Sequence, residues 1–412
     1  MRSIKGIAFL FVACIVLPSC AVNEVIDAEE TELIVAEMPP EEGMLLDIGI
    51  IQFAEGVPKN NNPIDSGVFQ EIRSAESRYL AYHLKSTLQG TGHWGAVRVI
   101  PSPNAFTDVI VGARIAESDG EYITLDVTIR DASGALWYQK PYATQTGVSS
   151  YSVNRDRRTD PYQKVFNDIA NDLRAYVAQM TPKEIATIQN VSELQFFADM
   201  SPDAYGEHLA TDKEGTISVV RLPAENDPSV NRLRQIRERD RLVVDTLNEH
   251  YANFYYGIAI PYHSWRKTAR EESVNYRQVK RSAALQTLMG AVVLAGSLAA
   301  DTDSGGKQTR RINRSLQGIG IQQGFESMMR GFSRRSEASM HLESITELSE
   351  SFGAEAAPMV VSVEGQSRRL TGTAAAQYES WRRLLKEIYE SETGFVEPVE
   401  ESAPERVPEP AG

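Results

Sequence analysis

The chain is short of the residues on which most catalysis and metal binding depend. Its 412 residues include two cysteines and six histidines. Cys14 sits inside an apolar N-terminal run, so Cys20 is the one thiol outside it and no disulfide framework can be drawn. No two histidines have the four-residue spacing of a helical zinc motif. A Gly-x-Ser-x-Gly elbow and a Gly-x-x-x-x-Gly-Lys phosphate loop are both missing, and Gly318-Ile319-Gly320 with Gly324 falls in a helical pattern rather than after a strand. Positive charge is also scarce, with a formal net charge of −14. That balance argues against nucleic acid or an anionic membrane surface as the main partner. No cofactor motif is apparent.

What is present begins at the N-terminus. Arg2 and Lys5 precede an uninterrupted apolar run of 11 residues, Ile7 to Leu17, and small residues follow at Ser19 and Ala21. This is the architecture of an export signal over residues 1–19. Eleven residues are too few for a bilayer span, which takes about 20 as a helix. Leu17-Pro18-Ser19-Cys20 resembles the lipobox of bacterial lipoproteins, with Leu17 and Ser19 as the signal-peptidase recognition residues and Cys20 as the acylated one. Pro18 occupies a position where that pattern usually has a small or β-branched residue. The alternative is an ordinary secretory signal cut after Ala21. Acylation would account for a lone thiol in an oxidising compartment. Ala21 after the cysteine resembles an outer-membrane sorting signal, which implies a lipid-anchored chain whose folded part faces the periplasm.

Without Arg2 and Lys5 the formal charge falls from −14 to −16. Residues 21–42 contain no Lys or Arg, so 20–44 reads as an extended, self-repelling tether. At the other end, 391–412 holds six Glu, one Arg and four Pro, the composition of a disordered tail.

The first folded unit is expected over 45–146. Leu45 to Ala54 reads as a buried strand, and Gly67 to Gln89 as an amphipathic helix through Phe69, Ile72, Tyr79, Leu80, Leu84 and Leu88. Val97–Ile100 and Val109–Ile115 are short β-branched strands. In Tyr122–Arg130, Ile123, Leu125, Val127 and Ile129 alternate with polar residues, and Asp131-Ala132-Ser133-Gly134 turns the chain into a partner strand from Leu136. The order predicts an α+β domain, a mixed sheet with a covering helix. The run Asp108 to Ile115, then Ile123 to Asp131, then Gly134-Ala135-Leu136-Trp137 resembles a small periplasmic domain of curli-secretion-channel lipoproteins and of lipoprotein activators of peptidoglycan synthases. That resemblance implies a scaffold or docking surface and brings no catalytic residues with it.

Residues 160–390 read as mainly helical. Pro161–Gln179 is amphipathic, Thr181-Pro182 opens another helix, a short strand is expected near Ile217–Leu222, and a charged helix starts at Pro228 and is kinked or restarted by Pro261. The run 283–300 is 18 residues long and the most apolar of the mature chain. It reads as one arm of a long helical hairpin over about 262–352, turned at Asp301–Gly306, with Gly290 near Gly318. A membrane span is the competing reading. A terminal β-hairpin over about 360–371 and a helix carrying Tyr378, Trp381, Leu385 and Ile388 complete the fold.

For chemistry, Glu249, His250 and His263 read as ordinary residues of an aromatic helix interface, and Ser149 and Ser150 as loop residues. Arg232–Arg241 reads as a solvated helix face with i,i+4 pairs. The less balanced cluster Arg310, Arg311 and Arg314 suits phospholipid or lipopolysaccharide headgroups, or the chain's own acidic tails. The expectation is a non-enzymatic, lipid-anchored envelope scaffold, assembly factor or regulator that binds an envelope protein or itself. The alternative is a carbohydrate-active or peptide hydrolase using paired carboxylates.

Overall fold

A computed structural model describes residues 30–298, apart from 39, 60–67, 103–104, 153–158 and 225, and then 343–350, 358–363 and 366–393. Five strands form one mixed sheet: β1 (Ile48–Ile51), β2 (Val97–Ile100), β3 (Val109–Ser118), β4 (Tyr122–Asp131) and β5 (Leu136–Gln145), in the order β2-β1-β3-β4-β5. β1 runs parallel to both β2 and β3, and β3, β4 and β5 form an antiparallel meander. The alternation in β4 does what its period demands: Ile123, Leu125, Val127 and Ile129 are all buried while the residues between them are not fully covered. At the turn between β4 and β5, Asp131 accepts from the N–H and hydroxyl of Ser133, and Gly134 takes φ +84°, a conformation that favours glycine.

Helix α1 (Gln70–Thr91) crosses from β1 to β2, and Gly92 closes it in the left-handed conformation. Helix α2 (Gln163–Val177) lies beside α1, and α3 (Pro182–Met200) follows from Thr181, whose hydroxyl and backbone exchange bonds with Glu184 in a capping box. The short α4 (Pro202–Tyr205) leads to a small hairpin of β6 (Leu209–Thr211) and β7 (Ile217–Val219). The long α5 runs from Pro228 to Leu298, 71 residues, which at about 1.5 Å per residue is roughly 105 Å. β8 (Met359–Val363) and β9 (Gln366–Leu370) pair as a terminal hairpin, and α6 (Ala374–Thr393) ends the described chain. Tyr378, Trp381, Leu385 and Ile388 of α6 are buried, in a cluster shared with α3 and α5. Among the described residues, no helix is long and apolar enough to cross a membrane.

The two regions expected at 45–146 and 160–390 share a core. Sheet residues such as Ile50 and Val127 belong to one buried cluster with Phe166 and Ile169 of α2 and with Ile258, Tyr262 and Trp265 of α5. Pro261 does not restart a helix: α5 passes through it, so the helix that enters the expected long arm begins at 228. Proline's ring crowds the carbonyl four residues earlier, which here belongs to the exposed Gly257, while Ile258 and Tyr262 on either side of the proline are fully buried and hold the backbone helical. The expected turn at 301–306 and the returning arm up to 342 lie outside the described residues. The helical stretch 343–350 is back against α1, with Ile345 buried in the main core and the Arg78 guanidinium donating to Ser349 O at 2.9 Å.

The acidic segment does not stand off the fold along its whole length. Ile34 N–H donates to Asn171 Oδ1 (3.0 Å), Asn171 Nδ2 to Glu32 O (2.9 Å) and Asn167 Nδ2 to Thr31 O (2.7 Å). Ala36 N–H donates to Thr91 O at 2.8 Å, and Leu33 packs against the core. Two asparagines of α2 thus satisfy an extended backbone that no strand accompanies.

Candidate interaction site

Most residues singled out from the sequence fall where the structure is silent. Leu17, Ser19, Cys20, Arg310, Arg311, Arg314 and Gly318 lie outside the described residues, and Gly290 is placed in the backbone of α5 with its surroundings undescribed. The described residues instead bring together a set of polar groups that fix α5 to the sheet.

At its centre the Arg266 guanidinium donates twice to Asp160, at 2.8 Å each, and the two side chains are 1% and 5% exposed. Tyr162 N–H and Tyr79 Oη add bonds to the same carboxylate, at 2.8 and 3.3 Å. The rings of Tyr79, Tyr162 and Tyr262 surround the cation at 5.7, 5.0 and 4.3 Å. Burial by itself would raise the Asp160 carboxyl, but the charge and hydrogen bonds of Arg266 outweigh it and hold the group well below the usual carboxylate range. A second carboxylate, Glu76 of α1, accepts from Tyr262 Oη (2.8 Å), Ser118 Oγ (2.6 Å) and Arg73 (3.2 Å) and is fully buried. His83 lies between Tyr255 Oη (2.8 Å) and Gln163 Oε1 (2.9 Å), and burial pushes its pKa down. Each of these ionisable groups is occupied by a partner from another element.

One turn further along α5, the turn between β3 and β4 meets the helix backbone. Gly120 has φ +84°, and a Cβ there would stand 2.2 Å from Arg266 O. Its N–H and carbonyl are taken by Tyr162 Oη and Tyr151 Oη, at 2.9 and 2.8 Å. Arg277 is then clamped by Asp119 and Glu121, with Glu117 at 3.4 Å, and its guanidinium covers Tyr122 at 4.5 Å. Beyond this clamp α5 continues for 21 residues to Leu298, about 30 Å of helix.

At the N-terminal half of α5 the helix meets the β2 edge of the sheet. Asn248 Oδ1 accepts from Val99 N–H at 2.8 Å, and Asn248 Nδ2 donates to Val99 O at 3.0 Å, so one carboxamide takes the place of a neighbouring strand. Arg98 forms a two-point pair with Asp245 at 2.6 and 2.9 Å. A groove of about 280 Å³ opens beside them, lined by Tyr82, Lys85 and Gln89 of α1, by residues 95–98, and by Asp245, Glu249 and Ala252 of α5.

In the cluster Arg232–Arg241, expected as a solvated face, Arg232, Arg234 and Arg239 are exposed and Arg241 pairs with Glu238 in the helix, but most of the arginines' partners come from other elements. Arg237 is buried, with its charge disfavoured by desolvation and by Arg241, and donates to Phe106 O (3.0 Å) and Ser192 Oγ (2.7 Å). Phe106 carries the single positive φ among the described non-glycine residues, +46°, and its carbonyl accepts from Arg237 and from the Ser192 hydroxyl, at 3.0 Å each. Arg234 reaches Glu193 of α3, and Arg241 reaches Asp47 before β1. Asp240 accepts from Tyr378 Oη at 3.2 Å and faces Arg382 at 3.6 Å. A helix laid against another layer turns its arginines to carboxylates of that layer, which i,i+4 spacing does not reveal.

His263 packs its ring against Tyr151 at 5.5 Å, and His250 against Tyr251 at 6.4 Å. Ser150 Oγ accepts from Gly147 N–H at 3.1 Å. Among the described residues, no group of three or more His, Cys, Asp or Glu is placed to hold a metal ion. Asp160, Asn248, Arg266 and Arg277 were not marked out by any local pattern: the Asp160–Arg266 pair, the Asn248–Val99 bonds and the Arg277 clamp join residues 106 to 160 apart in the chain. Set against known proteins, the chain matches no family model, no curated protein and no solved structure.

Proposed function

We propose that this protein is a non-enzymatic scaffold or assembly factor of the bacterial cell envelope, anchored through a lipid on Cys20, that holds a long helix out to an envelope protein or to a second copy of itself. The observation that supports it best is mechanical. α5 is fixed to the sheet by the Asp160–Arg266 pair and the carboxylate clamp on Arg277, and then runs 21 residues further. That far portion includes the apolar residues from Ala283, and an apolar sequence carried on a long helix is suited to binding another protein. The strap 31–36 enters at α2, so the tether available to reach the membrane is the 11 residues from Cys20 to Thr31, about 38 Å when fully extended.

The test uses the whole chain in cells. Mass spectrometry of the mature N-terminus is expected to find a diacylglyceryl Cys20, and Cys20→Ala to release the chain from the membrane fraction. A photo-crosslinking residue at Leu288 or Leu294 is expected to give one discrete adduct, to an envelope protein or to a second copy. Turnover of peptidoglycan by the purified chain, lost on changing a single acidic residue, would overturn the reading.

A further inference from the structure

We propose that the open stretch of the β2 edge captures a segment of a partner protein as an added, extended strand, with Val97 as the pairing residue. The argument starts from register. Ile48 N–H donates to Ala96 O, and Ile48 and Ile50 stand opposite Val97 and Val99 in the parallel pair. In such a ladder the residues facing β1 are Ala96, Arg98 and Ile100, and the backbone groups of Val97 and Val99 point the other way, off the edge of the sheet. For Val99 the N–H and carbonyl both end on the Asn248 carboxamide. For Val97, two residues earlier, the same pair of groups meets no partner among the described residues, although the residue is only 5% exposed and lines the 280 Å³ groove.

Backbone groups left unpaired at a nearly buried position are uncommon and costly, and a partner is expected for them. Asn248 shows which chemistry the edge accepts: a planar group presenting a carbonyl oxygen and an N–H side by side. An extended residue offers the same two groups, because its own N–H and C=O point to one side of the strand, and strand addition to a sheet edge is an established mode of peptide recognition. The same fold already holds one extended backbone, 31–36, with the carboxamides of Asn167 and Asn171. Asn248 and the crossing of α5 stop the added strand at Val99, so the site is short and its specificity comes from the groove walls. These present Lys85 on one side and Glu249 on the other, with the ring of Tyr82 beneath the Lys85 ammonium at 5.3 Å. A peptide with polar or charged side chains at alternate positions fits them.

The identity of the partner rests on the scaffold reading, but capture of a peptide is measured on this chain alone, so the two fail separately. The experiment takes the mature chain, residues 20–412 with Cys20→Ser, and selects binders from a displayed library of random decapeptides. Hydrogen exchange is followed at Val97, Arg98 and Val99, with and without a selected peptide. In the unliganded chain Val97 N–H is expected to exchange at least about tenfold faster than Arg98 and Val99, and to slow by a similar factor when peptide is added. Ala252→Trp and, separately, Gln89→Trp narrow the groove from its two walls. Each is expected to weaken the selected peptide at least about tenfold at unchanged melting temperature. The proposal is overturned if Val97 is as protected as Val99 in the unliganded chain, or if the selected peptides bind both variants undiminished. It is equally overturned if truncation after Thr393 exposes Val97, because the chain's own tail would then be the occupant.

Discussion

The two edges of the central sheet are protected by different means. At the β5 edge, ten residues long, the protection is written into the strand itself: Pro141, opposite Asp126 in the register, has no N–H to offer, and Lys140 beside it puts a cation on the rim. At the β2 edge, four residues long, the strand is β-branched and apolar apart from Arg98, and protection arrives from α5 as Asn248, 149 residues away in sequence. The first edge is closed whatever the rest of the molecule does. The second is closed only while α5 is held in place, and only at Val99. An edge guarded from a distance can be left open at a chosen residue, and the proposed peptide capture centres there.

The largest expected effect follows from breaking what holds α5. Asp160→Ala leaves the Arg266 cation buried and unpaired, and loss of one member of a buried pair costs about 3–5 kcal/mol. Urea unfolding of the full chain is expected to show that loss, and Val99 N–H to lose protection with it. Asp160→Leu with Arg266→Met removes both charges and is expected to recover part of the stability, since apolar replacement of a whole buried pair is often neutral or better. The pH dependence has a definite sign. Asp160 is depressed in the folded state, so its contribution is fully present above its unfolded pKa of about 3.9 and is lost as pH falls through the folded value. Wild type is therefore expected to lose stability steeply below about pH 4, and the Leu/Met double variant to lose less. Equal acid sensitivity in the two would show that Asp160 is not the group responsible.

Against this background it is clear which parts of the fold could be read from the sequence. The period-two pattern of β4, the Asp-Ala-Ser-Gly turn, the helix start at Thr181-Pro182 and the apolar stripe of α6 are local, and each appears at or within a few residues of its expected position. They are encoded by spacing along one element, where side-chain direction follows from backbone period alone. The polar contacts are not encoded that way. Arg266 and Asp160 look no different from any other Arg and Asp until a third dimension joins them, and in the Arg232–Arg241 cluster helical spacing points to in-helix pairs where the fold keeps Arg241–Glu238 and adds mostly tertiary ones. The restart expected at Pro261 fails for a related reason. Its penalty is local, but the burial of Ile258 and Tyr262 that overrides it is not.

A second, smaller effect tests the β2 edge directly. Asn248→Ala removes both bonds to Val99 and leaves a buried N–H and a carbonyl without partners. One such unsatisfied group costs about 1–3 kcal/mol, and the measured loss is expected within that range, because the space vacated admits water to at least one of the two. Asn248→Asp keeps the acceptor for Val99 N–H and turns the donor facing Val99 O into a second acceptor. It is expected to be at least as destabilising at neutral pH as the alanine, and to gain on the alanine variant as pH falls towards about 4, because burial raises the introduced carboxyl and its protonated form can donate again. An aspartate variant as stable as wild type at pH 7 would mean that the Val99 carbonyl does not depend on Asn248.

The smallest effect in stability tests the other edge. Pro141→Thr restores an N–H on the outer side of β5, where no ladder bond to β4 is affected, and threonine suits a strand. Thermal unfolding is expected to move by no more than about 0.5 kcal/mol, as for other surface substitutions. The consequence should appear in association instead. With a donor restored in the middle of a ten-residue edge, the row of outward N–H and carbonyl groups becomes continuous, and such an edge is a template for pairing with another chain. Sedimentation velocity over a concentration series is expected to show the variant self-associating where wild type does not, and a second substitution, Lys140→Val, to strengthen this by removing the remaining charge from the rim. If both variants stay at the wild-type sedimentation coefficient, β5 is protected by something other than its own residues. The contrast between a locally sealed edge and a remotely sealed one would then have to be given up.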